Sequence, residues 1–244
     1  MRYKLRFYTA QDVLLRFDYN LELSMVIKNF LNPKYVEFLD NIGFKCGNKI
    51  FKPYTFSRLL PEQYQVNSYG IEIKKGYVEL IISSIDENFW FSFLEGLLKE
   101  KKISLSGREF YLESISIKRL GKKKKLIAKT YSPFIVKNIS KNWSFIEMER
   151  NLKKNLLCKV YVFKRKKYKE EDFNLKLFEK TLKKTIIVIN GTPSEAYSGL
   201  LLIEGDEDII ETAYDAGLGL KNALGFGCIE DIKSKEEKTI YRVY

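Results

Sequence analysis

The sequence predicts an α+β fold in which each half of the chain repeats one order of elements, β-α-β-β-α-β. Apolar residues that alternate with polar ones indicate the strands, and apolar residues at three- and four-residue steps indicate the helices. Between the halves lies the segment 120–125, in which a glycine precedes four lysines without an apolar anchor. We therefore predict two tandem ferredoxin-like (RRM-like) domains, residues 1–121 and residues 122–244.

The first half begins with a strand at residues 2–9, where apolar residues alternate with cations. The row of cations fits either a solvated face or an RNA surface, and its members are Arg2, Lys4 and Arg6. The pattern then predicts helices at residues 21–31, 33–42 and 87–99, and strands at residues 51–60, 77–83, 103–105 and 110–117. Asp86 precedes the clearest helix, and we expect its side chain to cap the free backbone N–H groups there.

The second half shows the same order. The pattern predicts strands at residues 126–136, 173–177, 185–189, 197–204 and 226–232, and helices at residues 145–156 and 206–216. The pair Asn190-Gly191 is typical of a hairpin turn, so we expect residues 197–204 to return beside residues 185–189. Two lysine-rich segments, 122–125 and 164–167, fit either phosphate contacts or solvated surface.

The composition narrows the class of partner. The 244 residues carry a formal net charge of +12, which favours a polyanion such as RNA, DNA or a membrane surface. No apolar run reaches the roughly 18 residues that a membrane helix needs, and cations interrupt the first residues, so no signal peptide is expected. We therefore predict a cytoplasmic protein that does not associate with a membrane.

The chain contains no histidine and three cysteines. The absence of histidine removes the commonest general base and every triad or metal site that is built on imidazole. Cys46, Cys158 and Cys228 are far apart in the sequence and have neither disulfide-framework nor zinc spacing. No metal and no cofactor are expected, and any catalysis must use lysine, tyrosine, serine or carboxylate side chains.

A glycine-rich segment at residues 214–230 is the most informative stretch of the chain. Two glycine pairs flank Lys221 and Asn222; the glycines are Gly217, Gly219, Gly225 and Gly227. Such a segment predicts a loop with accessible amide groups that could cradle phosphates, with Lys221 adding charge. It lacks the third glycine of the dinucleotide fingerprint and the Gly-Lys-Ser/Thr end of the NTPase loop. The alternative is a tight helix-to-strand connection that binds no ligand.

This segment resembles the signature of the CRISPR repeat-processing endoribonucleases, which belong to the repeat-associated RNA-binding superfamily. The family motif is Gly-apolar-Gly, a short polar turn with Lys-Asn, and Gly-Phe-Gly near the C-terminus. The matching residues are Gly217, Gly219, Lys221, Asn222, Gly225, Phe226 and Gly227. Weaker matches at residues 37–40, 52–57, 131–133 and 190–204 extend the similarity over nearly the whole chain.

The resemblance implies a protein that binds the repeat of a CRISPR precursor transcript, with the matching loop residues contacting RNA. It also implies metal-independent cleavage, in which a 2′-hydroxyl attacks the adjacent phosphate and leaves a 2′,3′-cyclic phosphate and a 5′-hydroxyl. Many members use a histidine, a tyrosine and a lysine. Here Asp40 and Met25 occupy the histidine and tyrosine positions, and only Lys52 corresponds to the lysine.

Catalysis without histidine has three candidate residues. Lys52 could stabilise the charge that develops on the phosphate, and Tyr35 or Ser24 could hydrogen-bond a reacting oxygen. Each could instead have a structural role, and Asp40 is a poor candidate for a base because a carboxylate is unfavourable beside RNA. Loss of a positioned acid–base group costs about 10²–10⁴-fold, so a slow enzyme is expected.

Three functions therefore compete. The first is an endoribonuclease that matures CRISPR RNA, and the second is a catalytically inactive CRISPR repeat RNA-binding protein of the same fold. The third, a basic protein that binds a phosphorylated metabolite, requires the resemblance to be accidental. The resemblance leaves open a homodimer and membership in a CRISPR interference complex.

Overall fold

The structure of the chain is a computed structural model, which describes residues 1–137, 144–189, 191–233 and 239–242. Among these residues, no helix combines the length and the apolar character that a bilayer span needs.

The first half forms an antiparallel sheet with helices packed on it. Its strands are β1 Arg2–Thr9, β2 Val13–Leu15, β3 Phe44–Cys46, β4 Lys49–Phe51, β5 Tyr54–Phe56, β6 Leu60–Pro61, β7 Tyr64–Asn67, β8 Gly70–Ile73, β9 Gly76–Ser84, β10 Lys102–Leu105 and β11 Arg108–Lys118. Its helices are α1 Tyr19–Asn29, α2 Pro33–Glu37, which continues into a π-helical turn at Phe38–Ile42, and α3 Glu87–Glu100. The main sheet has the order β10-β11-β1-β9-β5.

The second half contains a sheet of the same design. Its strands are β12 Lys125–Thr130, β13 Phe134–Ile135, β14 Asn174–Leu177, β15 Lys183–Ile189, β16 Thr192–Ser198, β17 Leu200–Glu204 and β18 Ile229–Asp231, followed by β19 Thr239–Arg242. Its helices are α4 Phe145–Lys164 and α5 Glu207–Ala216, with short 3-10 turns at Glu170–Asp172, Glu179–Thr181 and Asn222–Leu224. The sheet order is β14-β17-β12-β18.

Both halves confirm the predicted ferredoxin-like order. In the first half β1, α1, β5, β9, α3 and β11 follow one another, and in the second half β12, α4, β14, β17, α5 and β18 do. In each sheet the first and third strands of the motif are central and the second and fourth flank them. This arrangement is the split βαβ fold that the alternation of elements predicts.

Helix α3 shows how local sequence produces the first core. The Asp86 side chain accepts a hydrogen bond from the backbone N–H of Asn88, which confirms the predicted cap. Phe89, Trp90 and Phe93 are buried and contact one another ring to ring. The apolar stripe of this helix is therefore core, as its spacing predicts.

Strand β1 has the predicted bounds, but its cations are not one exposed row. Arg2 is completely buried, and its guanidinium donates hydrogen bonds to the carbonyl oxygens of Ile229 and Tyr214, both at 2.6 Å. It also pairs with Glu230 at 3.2 Å. An RNA surface or solvated face that includes Arg2 is therefore wrong, because elements of the second half cover this end of the strand.

The predicted hairpin is present, but its second strand is β16 rather than residues 197–204. Ile189 pairs with Thr192 across the turn, and Asn190 lies outside the described residues. Gly199 separates β16 from β17, and a Cβ atom at Gly199 would lie 2.9 Å from the carbonyl oxygen of Thr181. Strand β17 joins the second sheet instead, because its apolar side chains, Leu201 and Ile203, are buried in the core there.

The boundary between residues 121 and 122 stays a prediction. Strand β11 ends at Lys118 and β12 begins at Lys125, so the predicted boundary lies in the connection between the two sheets. Strand β19 pairs with β11, which adds residues 239–242 to the first sheet.

Candidate functional site

The glycine loop, defined here as residues 217–228, connects α5 to β18 and packs against the first half of the chain. Ser24 on α1 donates its hydroxyl proton to the carbonyl oxygen of Ala223 at 2.8 Å. Thr55 on β5 does the same to Phe226 at 2.9 Å. The loop is therefore held by two elements of the first half and forms part of the contact between the halves.

A buried lysine organises the loop from the other side. The Lys159 ammonium on α4 donates to the carbonyl oxygens of Gly217 at 2.6 Å and Gly219 at 3.0 Å. It also donates to Oδ1 of Asn222 at 2.6 Å. Lys159 is fully buried, and this burial lowers its pKa to about 7.

Sequence reasoning missed Lys159. The signal was a lysine three residues after Leu156 and seven after Leu152, which puts it on the apolar face of α4. A lysine at such a position is unfavourable unless it has buried partners. The position therefore called for partners, but their identity depends on a loop about 60 residues further along the chain.

Asn222 ties the two glycine pairs together. It is buried, and its side-chain amide donates to the carbonyl oxygens of Leu218 and Phe226, both at 2.9 Å. Lys221, its neighbour, has a positive φ of 60° and is exposed. The Lys-Asn turn therefore puts one side chain into the protein and the other into solvent.

The glycines are needed for close packing as well as for backbone conformation. A Cβ atom would lie 2.2 Å from the carbonyl oxygen of Ile135 at Gly219, and 1.9 Å from that of Leu218 at Gly227. At Gly225 it would lie 2.4 Å from the Phe56 ring. All three positions also have a positive φ.

The loop is a packed element rather than an open cradle of amide groups. The amide of Gly227 donates to the carbonyl oxygen of Pro133, and the amide of Leu220 donates to that of Ile135. The expectation of freely accessible amides is wrong for these groups, because they bond to the segment around β13. Direct RNA contact by the glycines themselves stays a prediction.

A cleft of about 460 Å³ lies between β4 and the glycine loop. We call it the lysine cleft, and its lining residues are Lys49, Ile50, Phe51, Lys52, Gly219, Leu220, Lys221, Asn222, Ala223 and Leu224. Three lysines from two distant segments therefore meet at one concave surface. The structure brings Lys52, the predicted catalytic lysine, to the same cleft as Lys221 of the glycine loop.

Asp40 lies on the π-helical turn and fixes Lys52. Its carboxylate accepts a hydrogen bond from the Lys52 ammonium at 2.6 Å, and its second oxygen accepts one from Lys28. The ammonium groups of Lys28 and Lys52 hold the pKa of Asp40 below its usual range. Asp40 is therefore a carboxylate at neutral pH and a weak proton acceptor.

The other two catalytic candidates have structural partners. The Tyr35 hydroxyl donates to the carboxylate of Asp86 at 2.7 Å, and Asp86 is also the residue that caps α3. Burial and the Asp86 carboxylate raise the pKa of Tyr35. The Ser24 hydroxyl is bonded to the glycine loop, as described above. Of the three candidates only Lys52 lines the lysine cleft.

Comparison with known families covers both halves of this fold. The family description "CRISPR-associated protein Cas6, N-terminal" matches residues 15–116, and "CRISPR associated protein Cas6, C-terminal" matches residues 116–230. The chain belongs to the Cas6 family. The family resemblance inferred from the glycine segment is thereby confirmed.

Relatives of this Cas6 chain align over nearly its whole length. CRISPR-associated endoribonuclease Cas6 1 from Methanocaldococcus jannaschii is 29% identical over 257 residues, which covers 98% of this chain and 95% of that protein. A solved structure of a CRISPR associated protein Cas6 has a TM-score of 0.76 at 27% identity, covering 96% of this chain and 99% of that one. A Cas6-related protein from Pyrococcus furiosus shares the fold, with a TM-score of 0.80 at 23% identity over 96% and 99% of the two chains.

This Cas6 chain has a second cleft, of about 790 Å³, which sequence reasoning missed. We call it the aromatic cleft, and its lining residues are Arg16, Phe17, Asp18, Arg58, Ser68, Tyr69, Thr185, Ile186, Ile187 and Val188. Phe17 and Tyr69 are large exposed aromatic residues beside two arginines. The cleft escaped notice because its residues come from four separate segments, none with a motif of its own.

Two lysines in each lysine-rich segment of this Cas6 chain form ion pairs with carboxylates. Lys123 and Lys125 pair with Asp231 and Glu204. In the second segment, Lys164 and Lys166 pair with carboxylates of α5, which are Glu211 and Asp208. For these four lysines the ion pairs fit a structural surface, and the two interpretations stay open for the other four cations of the segments.

Close packing of the glycine loop can be tested by Gly219→Ala against Gly107→Ala. The two glycines have nearly equal positive φ values, 67° and 70°, but a Cβ atom at Gly107 meets no atom within 4 Å. Both changes share the backbone strain, so Gly219→Ala should cost about 1–3 kcal/mol more in unfolding free energy through overpacking alone. Urea unfolding of both variants measures the difference, and equal destabilisation would contradict the packing role.

Proposed function

We propose that this chain is a metal-independent endoribonuclease, which binds and cleaves CRISPR repeat RNA in the precursor transcript to give mature crRNA. The observation that carries the proposal is the lysine cleft, where Lys52 meets the glycine loop with Lys221. Membership in the Cas6 family and a relative named as a CRISPR-associated endoribonuclease support the same activity. The positive charge of the cleft suits an RNA phosphate.

The proposed reaction is an internal transfer. The 2′-oxygen forms a bond to the adjacent phosphorus while the bond from phosphorus to the 5′-oxygen breaks. The 2′-hydroxyl loses its proton, and the departing 5′-oxygen gains one. The products are a 2′,3′-cyclic phosphate and a 5′-hydroxyl. Because both reacting oxygens belong to one RNA strand, the protein can accelerate the step by holding them in line.

Lys52 is the residue that we assign to the phosphate. Asp40 holds its ammonium at 2.6 Å, so the side chain does not have to be ordered when RNA arrives. Placed beside the phosphate, this charge would stabilise the extra negative charge of the transition state. Lys49 and Lys221 line the same cleft and would contact flanking phosphates. Tyr35 and Ser24 stay proposed catalytic candidates, and their hydroxyls already donate to protein partners, Asp86 and Ala223.

A second function of a different class is a catalytically inactive repeat RNA-binding protein. One observation favours it: the position that the family resemblance gives to histidine holds Asp40, whose lowered pKa makes it a weak base. Both functions bind the same RNA, and they differ in whether the RNA is cleaved. A homodimer and membership in a CRISPR interference complex stay proposals, which sedimentation and co-purification would test.

Cleavage of a labelled CRISPR repeat RNA in EDTA should produce a 2′,3′-cyclic phosphate, and Lys52→Ala should reduce the single-turnover rate about 10²–10³-fold. Lys99→Ala, an exposed lysine on α3, should leave the rate unchanged. An RNA with a 2′-deoxy group at the cut site should not be cleaved. Tight binding without cleavage at high enzyme excess would instead select the inactive RNA-binding protein.

The role of Lys221 predicts a change in salt dependence. Lys221→Ala removes the exposed cation of the glycine loop and should weaken repeat RNA binding. The slope of log K against log salt concentration should fall in magnitude by about 0.7, the value for one phosphate contact on a single strand. Fluorescence anisotropy at several salt concentrations measures this slope. An unchanged slope and affinity would remove Lys221 from the RNA contact.

The aromatic cleft is proposed as a surface for unpaired repeat nucleotides, because exposed rings beside arginines stack bases and bind phosphates. Tyr69→Ala should weaken binding of the repeat by about 1–3 kcal/mol if one base stacks on the ring. Phe91→Ala is the matched control, since Phe91 is 76% exposed and Tyr69 is 79% exposed, but Phe91 lies on α3. Equal affinities for the two variants would exclude stacking on Tyr69.

A further inference from the structure

Lys159 is a buried titratable group that takes no part in the proposed reaction. Its ammonium has three N–H donors, and three loop oxygens accept them: those of Gly217 and Gly219 at 2.6 and 3.0 Å, and Oδ1 of Asn222 at 2.6 Å. The match is complete because the group is fully buried and contacts no solvent. Each oxygen belongs to the glycine loop, so one side chain sets the spacing of three points on it.

Loss of one proton would break this match. A neutral amine has two N–H donors and a lone pair, so one of the three oxygens would lose its donor and face the lone pair. A buried oxygen without a donor is costly, and the loop would relax to remove the contact. Gly219 and Asn222, two of the three partners, line the lysine cleft, so any such relaxation changes the proposed RNA site.

Two opposing effects act on the Lys159 proton: the three hydrogen bonds favour the ammonium, and burial disfavours it. Burial lowers its pKa to about 7, and among the residues that the structure describes no carboxylate forms an ion pair with it. The ring of Phe51 on β4 has its centroid 6.0 Å from the ammonium, and Phe51 lines the lysine cleft. The Lys159 ammonium is therefore close to a residue that lines the lysine cleft.

We propose that the Lys159 ammonium is a positioning group that holds the glycine loop in its RNA-binding form, so that loss of its proton weakens RNA binding. The proposal rests on the proposed function only for the identity of the RNA. The effect on the loop itself is a property of the free protein.

Other titratable groups on the elements around Lys159 must be distinguished from it. They are Cys158 on α4, Cys46 on β3, Lys49 and Lys52 beside Phe51, Glu211, Tyr214 and Asp215 on α5, and Lys221 and Cys228 on the loop. Burial raises the pKa of Cys158 and of Cys228 to about 11, which is far above neutral pH. Burial also raises the pKa of Asp215, which makes Asp215→Asn a necessary control.

The composition makes the test unusually direct. Histidine is the side chain whose unperturbed pKa lies between pH 5 and 8, and the chain contains none. RNA phosphodiesters do not titrate in this range. Apart from the α-amino group of Met1, which pairs with Asp215, a pH dependence centred near 7 therefore has few possible sources in this protein.

The sign of the stability effect separates positioning from a merely structural role. The pKa of Lys159 is lowered from 10.5 to about 7 on folding, so both states are protonated below pH 7 and the cost of burial is then at its full value. Between pH 7 and 10.5 the unfolded state binds more protons, so the contribution of Lys159 to stability rises with pH. RNA affinity should fall over the lower part of the same range. A structural role alone would make both quantities change in the same direction.

The first measurement uses the free protein with ¹³C-labelled lysine side chains. One lysine Cε resonance, absent from Lys159→Met, should titrate near pH 7, and the amide resonances of Gly219 and Asn222 should follow the same curve. A Lys159 resonance that shows no titration between pH 5.5 and 9 would overturn the proposal. This experiment needs no RNA, so its result is independent of the proposed function.

The second measurement is repeat RNA affinity from pH 6 to pH 8.5. The wild type should lose about tenfold in affinity, the effect of one lost charge-assisted hydrogen bond. Lys159→Met should bind weakly at every pH. The control is Lys153→Met, which removes a lysine of the same helix that donates to the carbonyl oxygens of Glu170 and Phe173, and it should keep the wild-type profile.

The outcomes distinguish the two proposals. If Lys159→Met binds repeat RNA with the same pH profile as the wild type, the positioning role fails and the proposed function stands. If the loop titrates near pH 7 but no RNA binds at any pH, the proposed function fails and the proton-dependent loop remains. If Asp215→Asn removes the profile and Lys159→Met does not, the proton belongs to Asp215 and the proposal is overturned.

Discussion

The buried contact between Lys159 and the glycine loop is the interaction on which the rest of the site depends. An ammonium without water is strongly unfavourable, and only a set of fixed oxygens can compensate for the lost solvation. The loop supplies three such oxygens, and it can do so only because its glycines allow the backbone to approach closely. The loop in turn bonds to Ser24 and Thr55 of the first half. The buried charge, the close packing at the glycines and the contact between the halves therefore depend on one another.

The lysine cleft follows from that contact, because neither half contains it alone. The segment at β4 contributes Lys52, which directly follows the strand, and the loop contributes Lys221, a residue far away in the sequence. Arg2 strengthens the same junction from the first strand, with bonds to Ile229 and Tyr214 of the second half. A ligand in the cleft would therefore contact residues from both halves of the chain.

The chemistry available at the cleft is that of fixed positive charge rather than of a titrating acid–base pair. Asp40 takes the place that the family resemblance gives to histidine, and its carboxylate pairs with Lys28 and Lys52, which lower its pKa. Catalysis by orientation and charge suits an internal transfer, whose two reacting oxygens are already tethered to one phosphate. The expected rate is modest, and processing that happens once per transcript tolerates it.

Much of this protein follows from its sequence alone. Alternation and helical spacing predicted the two βαββαβ halves, Asp86 predicted a helix cap, and the glycine segment with Lys221 and Asn222 predicted the family, because all of these are written in local backbone preference and short motifs. Tertiary structure alone decided that Arg2 is buried, that β16 rather than β17 completes the hairpin, and that the aromatic cleft exists. It also decided that Lys159 on α4 donates to three oxygens of the glycine loop. These features depend on which charges and oxygens meet across tens to hundreds of residues. Local periodicity records whether a residue faces inward, but the partner that makes a buried charge tolerable is chosen only when the two halves pack together.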